Sequence, residues 1–425
     1  MYNIFIKLLM LKITMLPILP KNNQSHLLQK FISQLKSNGF LGDAHDDLGS
    51  LVSVSTDNSI YQVTPELVLY PKNKSDILKI FKLGNINEFK CLKFSPRGGG
   101  TGTNGQSLSA GIIIDCSRFM NNIIEFNQQE KWITVQPAVV LDQLNEHIQK
   151  SKLFFAPNLS PSNRATLGGM VNTDACGKGS RIYGKTSQHI LEIDFITVCG
   201  SEITSKKINF KDLEEKINQQ DKEGEIYRAT NSIISNNLDE IDKQFPKIAR
   251  FMTGYNLAKV IDSKNKTFNI NYLLSGSEGT LVYVVGLKLN LVNVPKYKSL
   301  FALQYPTFEG ALRSAKALLD HHPAAVETVD DNILTLAKED EIYNSVRHMI
   351  VEPDNKKTGA INLVEIISDT AEGLIQQEEE IKLKLDQLII NDLLNAYYHT
   401  NQSSEINALW NLRKKGVGLL GNMKG

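Results

Sequence analysis

The sequence predicts an α+β fold: a mixed-sheet domain followed, beyond Pro295, by the opening half of another α/β domain. Helical and strand patterns alternate from residue 24 onward, and glycine-rich loops too long for a simple wound sheet interrupt them. After Pro295 and its following lysines a strand, turn, helix and strand pattern starts afresh. A chain of 425 residues with 41% hydrophobic content suits two or three cores, because single cores stop growing well before that length.

In chain order, QSHLLQKFISQLKSN (24–38) places Leu27, Leu28, Phe31, Ile32 and Leu35 at helical spacing, with Gly39 as terminator. ELVLYPKNKSDILKIFKLG reads as a strand, a proline turn and a helix from about Ser75. CLKFSPR leads into a glycine loop, and GIIIDCS follows as a buried strand; KWITVQPAVVLDQLNEHIQK repeats strand then helix. Residues 205–245 are polar, with DLEEKINQQDKEGEIYRA expected as a surface helix. FNINYLLSGSEGTLVYVVGLKLNLVNVP has two apolar runs flanking SGSEG. Past Pro295 come FALQY, a helix and AAVETVDD, then strand-like NLVEII and a long charged helix. The implied domains are 1–62, an N-terminal extension with a helical segment; 63–294; and 295–425.

With 47 basic and 46 acidic residues the net charge is +1, so no overall field favours nucleic acid or an anionic membrane. Cys91, Cys116, Cys176 and Cys199 include no CxxC, which argues against an iron–sulfur or zinc site built by this chain alone and fits reduced cytosolic thiols. The apolar N-terminus is broken by Lys7 and Lys12 and stopped by Pro17 and Pro20, short for a bilayer span; a signal peptide or interfacial helix is the alternative, and Met15 is a candidate start. The expected compartment is the cytoplasm, with peripheral membrane contact as the minor reading.

RGGGTGTNGQ (97–106) spends Gly98, Gly99, Gly100, Gly102 and Gly105 within ten positions. Glycine is most useful where the backbone takes positive φ or another group comes close, and successive exposed N–H groups form a nest for anionic oxygens. A pyrophosphate is the natural guest; a tight strand connection without a ligand is the other reading. The loop is neither GxxxxGK[ST] nor a strand–GxGxxG–helix fingerprint. LSPSNRATLGGMVNTDACGKGSRIYG (159–184) is a second permissive region and SGSEGT (275–280) a third, which together point to a large cofactor.

PRGGGTGTNGQ, ATLGGMVNTDACGKGSRIYGKT, TGYNL and SGSEGTL together resemble the FAD-binding domain of the vanillyl-alcohol-oxidase and para-cresol-methylhydroxylase superfamily. Within it the chain is most similar to FAD-linked D-2-hydroxyacid dehydrogenases, and STDNSIYQ (55–62) resembles the approach to their flavin domain. The resemblance implies an FAD-binding domain of two α/β subdomains followed by a partial α/β substrate or cap domain. It places the pyrophosphate loop on Arg97, Gly98, Gly99, Gly100, Gly102, Thr103, Asn104 and Gly105. It places a second flavin segment on Thr166, Gly168, Gly169, Asn172, Thr173, Gly177, Gly179, Tyr183 and Gly184. Glu278 and Gly279 fall on the adenine or phosphate side, the carboxylate being equally a structural acceptor. Thr101 stands where covalent members carry a histidine, so noncovalent FAD is implied.

The implied activity is oxidation of a D-2-hydroxy acid, D-2-hydroxyglutarate or D-lactate, by hydride transfer to flavin N5, with an electron acceptor or iron–sulfur module as partner. Another FAD-linked oxidase and a catalytically incomplete flavin-binding subunit are the alternatives. Relatives of this type continue beyond KGVGLLGNMKG, so activity is expected to need residues outside this chain. Tyr255 either projects toward flavin or substrate or packs under the sheet, and Arg413, in ALWNLRKKG, either grips the acid's carboxylate or caps a helix beside Lys414 and Lys415. His321 and His322 read as a helix end, His189 as a core or rim residue, and the glutamates at 378–380 as a solvated helix face; no metal ligands are assigned.

Overall fold

The computed structural model describes residues 24–248, 250, 254–350 and 356–421. The expectations for the apolar N-terminus, for Thr253 of TGYNL and for the last four residues lie outside the described residues.

Two uninterrupted apolar runs build the first layer. Leu67–Tyr70 and Ile112–Asp115 are buried along their whole length and pair in parallel, as strands covered on both faces do, and Phe94–Arg97 lies parallel on the other side of Ile112–Asp115. Asp43–His45 closes the other edge antiparallel to Leu67–Tyr70. Helix Lys74–Gly84 begins where the Asn73 side chain accepts the Asp76 N–H, and with helix Gln24–Ser37 it covers one face. Leu28, Phe31 and Leu35 there meet Ile77, Ile80, Leu67 and Ile112. Residues 24–45, expected as an extension, are thus built into this core.

The second layer is a five-stranded antiparallel sheet in the order Ile123–Asn127, Trp132–Val135, Tyr283–Asn290, Ile190–Ile196, Glu202–Lys206. Its central strand is the second apolar run of the SGSEG region; the first run is instead a short strand, Thr267–Phe268, and helix Asn271–Leu274. The surface helix expected across 212–229 is two helices, Phe210–Asn218 and Lys222–Ser235, because Asp221 caps the second by accepting from the Gly224 N–H.

The region from Tyr297 runs β-α-β-β-α-β: Tyr297–Tyr305, Phe308–Leu318, Ala325–Asp330, Ala360–Ser368, Ala371–Ile390 and Ala396–Thr400. Its sheet is antiparallel throughout, with Ala360–Ser368 and Tyr297–Tyr305 at the centre. One face packs on Phe308–Leu318 and Ala371–Ile390, the other on Asp331–Lys338, Ile342–Val346 and Ser403–Gly421. Because Ala371–Ile390 lies against the sheet, Glu378 falls on its buried stripe with Leu374 and Ile381, 3.0 Å from His399, so that part of the acidic run is not a solvated face. No helix of the described residues is long and apolar enough to cross a membrane.

Candidate functional site

Strand Phe94–Arg97 delivers the first glycine segment to the seam between the two sheets. A Cβ on Gly99 would sit 2.0 Å from the Arg164 carbonyl oxygen, so glycine is needed there because this backbone touches the backbone of the second segment. Among the described residues none of the N–H groups of Gly99, Gly100, Thr101, Gly102 and Thr103 donates to a protein acceptor. Asn104 N–H donates to Gln106 Oε1. Arg97 anchors the loop, donating through Nη2 to Thr56 O at 2.8 Å and through Nη1 to Ser107 O. Burial pulls its guanidinium below the usual value, opposed by Asp115 and Asp57.

The second segment carries helix Leu167–Asn172. Thr166, at its N-cap, has a buried hydroxyl without a hydrogen-bond partner. Asn172 spends its side chain on the fold, donating to Gly168 O and accepting from Gly279 N–H, while Glu278 N–H donates to Asn172 O. The Thr173 hydroxyl donates to Gly169 O. Gly179 takes φ +80° to start the turn Ser180–Tyr183, which ends at Gly184. Tyr183 packs edge-on against Phe154, and its carbonyl lies 2.6 Å from His189 Nε2. Burial holds the His189 imidazole below its ordinary pKa.

A cavity of about 860 Å³ opens where these segments meet, within the range of small-molecule sites. Arg97, Gly98 through Asn104, Thr166, Gly168, Gly169, Asn172, Thr173, Gly177 and Glu278 reach it. Gly105, Gly179, Tyr183, Gly184 and Gly279 shape the turns behind it without lining it. Tyr255 neither lines the cavity nor packs under a sheet: it is 45% exposed, its hydroxyl 2.7 Å from Thr280 Oγ1. Cys116 also faces the cavity, but burial pushes its thiol up to about 12, so it stays protonated at neutral pH.

The opposite wall belongs to the third sheet and helix Ser403–Gly421. Arg413 lines the cavity, paired through Nη2 with Glu327 at 2.6 Å and donating through Nη1 to Ser160 Oγ. It is therefore no exposed cap, unlike Lys415, which is half exposed and pairs with Asp340 at 2.7 Å away from the cavity. Lys414 donates to Ser162 Oγ at 3.0 Å. Lys178 meets both Glu365 carboxylate oxygens at 3.1 and 3.2 Å, and Trp410 Nε1 donates to Glu365 Oε2 at 2.7 Å. Sequence reasoning missed Ser160, Lys178, Lys298, Glu327, Glu365 and Trp410 on this cavity. For Asn407, Trp410, Asn411 and Lys414 a signal existed, since i, i+3, i+4 spacing puts them on one helix face.

The donor set fits a dinucleotide carrying a pyrophosphate: a run of unpaired N–H groups, a buried orphan hydroxyl and a cavity reaching from this nest to a charged wall. Fold and site together define a dinucleotide-binding architecture with a further α/β domain closing one side of the cavity. The family described as FAD binding domain matches residues 65–205, and that described as FAD linked oxidases, C-terminal domain, matches residues 294–425. The chain is 40% identical over 397 residues to D-2-hydroxyglutarate dehydrogenase of Pantoea ananatis, covering 93% of this chain and 39% of that one. It is 37% identical over 401 residues to the protein of the same name from Escherichia coli K12, with 94% and 39% coverage. Among solved structures, alkyldihydroxyacetonephosphate synthase superposes with a TM-score of 0.64 at 15% identity over 92% of this chain and 63% of that one, a likeness of fold. The chain is FAD-linked D-2-hydroxyacid dehydrogenase-like, with the domain pair of the vanillyl-alcohol-oxidase and para-cresol-methylhydroxylase superfamily. It spans 39% of the length of the D-2-hydroxyglutarate dehydrogenases it matches.

Proposed function

We propose that this chain carries the flavin and carboxylate-gripping part of a D-2-hydroxyacid dehydrogenase, with D-2-hydroxyglutarate the first substrate and D-lactate the second. One observation carries the reading: Arg413, already oriented by Glu327 and Ser160, faces the same cavity as the two glycine segments. The working division is residues 63–294 for FAD and 295–425 for the acid, with residues 24–45 serving the first.

When bound, FAD supplies the hydride acceptor. The acid's hydroxyl proton leaves to a base other than the Arg413 cation, and the chain's own residues hold cofactor and acid in place. The N–H groups of Gly99 to Thr103 hold the pyrophosphate, and the Thr166 hydroxyl gains an acceptor or donor it otherwise lacks. With Thr101 in the first loop the cofactor is held without a covalent link. Arg413 takes the acid's carboxylate through the planar fork that suits it, and Glu327 and Ser160 keep that fork from rotating. An external electron acceptor or iron–sulfur module takes the electrons onward.

The test is turnover of D- and L-2-hydroxy acids with an artificial electron acceptor by FAD-loaded protein. Selective oxidation of D-2-hydroxyglutarate is expected. Preference for L-acids or for aryl alcohols, in the chain alone and in the chain joined to the remaining length of its relatives, overturns the assignment.

A further inference from the structure

The second glycine segment lines the cavity with one long charged side chain, Lys178, and that side chain reaches across to the third sheet. Lys178 lies between Gly177, where a Cβ would sit 2.2 Å from Asn158 O, and Gly179 at φ +80°; its starting point is fixed by backbone on both sides. Its ammonium contacts both oxygens of Glu365 and stands 4.2 Å from the centre of the Trp410 ring. Trp410 in turn donates to the same carboxylate, so cation, carboxylate and indole form a closed three-way contact. The Lys178 and Glu365 side chains are only 28% and 11% exposed, which spares the pair most solvent screening. Trp410 sits one helical turn before Arg413, on the helix that faces the cavity.

We propose that Lys178 is a positioning residue through which the cofactor-binding segment, beyond the direct Ser160–Arg413 contact, sets the helix carrying Arg413: it docks Glu365 and Trp410, and they hold the helix where Ser160 and Glu327 can orient the guanidinium. Arg413 is then referenced to the same stretch of backbone that shapes the cofactor wall, so cofactor and acid subsites share one ruler. The same segment also meets this helix directly, Arg413 Nη1 donating to Ser160 Oγ and Lys414 Nζ to Ser162 Oγ at 3.0 Å, whereas Arg181 Nη2 donates to Leu319 O at 3.0 Å, away from the helix. This inference rests on the reading of the cavity as an FAD and acid site.

The test uses the FAD-loaded chain with Trp132→Phe, which leaves Trp410 as its sole tryptophan. Trp132 is a separate surface residue bonded to Glu130, so its loss does not disturb the seam. Three quantities are read: Trp410 emission and its quenching by acrylamide, FAD affinity, and the affinity of glutarate, an unreactive dicarboxylate, from its perturbation of the flavin spectrum. Lys178→Met is expected to shift Trp410 emission to the red, raise its quenching severalfold and weaken glutarate about tenfold, with FAD affinity held within about threefold. Lys178→Arg restores most of this, and Arg181→Ala changes none of it. Glu365→Gln, which keeps an acceptor for the indole, gives an intermediate effect and serves where Lys178→Met does not fold. Unchanged Trp410 emission and quenching in both Lys178→Met and Glu365→Gln overturns the proposal, as does loss of FAD binding in step with glutarate binding. If glutarate leaves the parent's flavin spectrum untouched, the acid-site reading fails, while Trp410 still decides the docking role.

Discussion

The two walls of the cavity are made of different material. The cofactor wall is mostly backbone: Gly99 to Thr103 present unpaired N–H groups, Gly168 to Gly177 line the cavity beside them, and Gly99 lies so close to the Arg164 carbonyl that it has no room for a Cβ. The facing wall is long charged side chains, each held by a partner: Arg413 by Glu327, Lys414 by Ser162, and Glu365 by Lys178, which reaches over from the cofactor wall. A backbone wall is rigid and reads any anion of the right curvature, whereas a paired side-chain wall can be tuned residue by residue for one acid. That contrast explains how a common cofactor site can be joined to different substrate sites on a shared fold.

The largest effect belongs to the backbone wall. Gly99→Val should abolish measurable FAD binding, a loss of at least about 100-fold, because its methyl groups need space held by the Arg164 carbonyl. Lys207→Ala, at an exposed site, should leave affinity unchanged in the same fluorescence titration. Equal affinities would remove the close-approach argument. Next comes Thr166→Val, which deletes an orphan hydroxyl without changing shape. It should weaken FAD about tenfold while leaving the apoprotein as stable or slightly more so, since an unsatisfied buried hydroxyl opposes folding. Thermal melts of the apoprotein beside FAD titrations separate the two effects; a drop in both would make Thr166 structural.

The smallest effect concerns the turn behind the wall. Burial lowers the His189 pKa from its usual 6.5, so below that pH the unfolded chain binds a proton that the folded chain resists. Stability is full above about 6.5 and falls as pH drops toward the folded value. His189→Gln should flatten that decline by up to about 1.4 kcal/mol per pH unit, read from urea melts across the window. An unaltered slope would assign the decline to other groups, His399 among them, whose pKa is also lowered by burial.

The backbone wall was legible in the sequence because glycine is a local signal: its clusters at 98–105 and 168–184 mark the segments before any fold is known. Their reason was only half legible, since much of the glycine requirement comes from one segment lying on the other rather than from a ligand. Continuous apolar runs such as Ile112–Asp115 likewise announced buried strands. The side-chain wall was largely hidden. Lys178, Glu327 and Glu365 lie far apart in sequence, and each alone reads as a surface charge; only sheet register and the docking of Ser403–Gly421 bring them together. Short edge strands such as Asp43–His45, polar and only half buried, carried no period to detect.

The central claim is that one wall holds FAD while Arg413 on the other presents the acid to it. The direct measurement is anaerobic reduction of bound FAD, at matched occupancy, in the parent and in Arg413→Ala, both joined to the remaining length of their relatives and each mixed with D- and then L-2-hydroxyglutarate. The account predicts bleaching of the flavin's visible band by the D-acid alone, slowed at least about 100-fold in Arg413→Ala at unchanged FAD affinity, as expected for losing a charge-assisted pair of hydrogen bonds. Equal rates in parent and variant, or equal bleaching by both enantiomers, would contradict it.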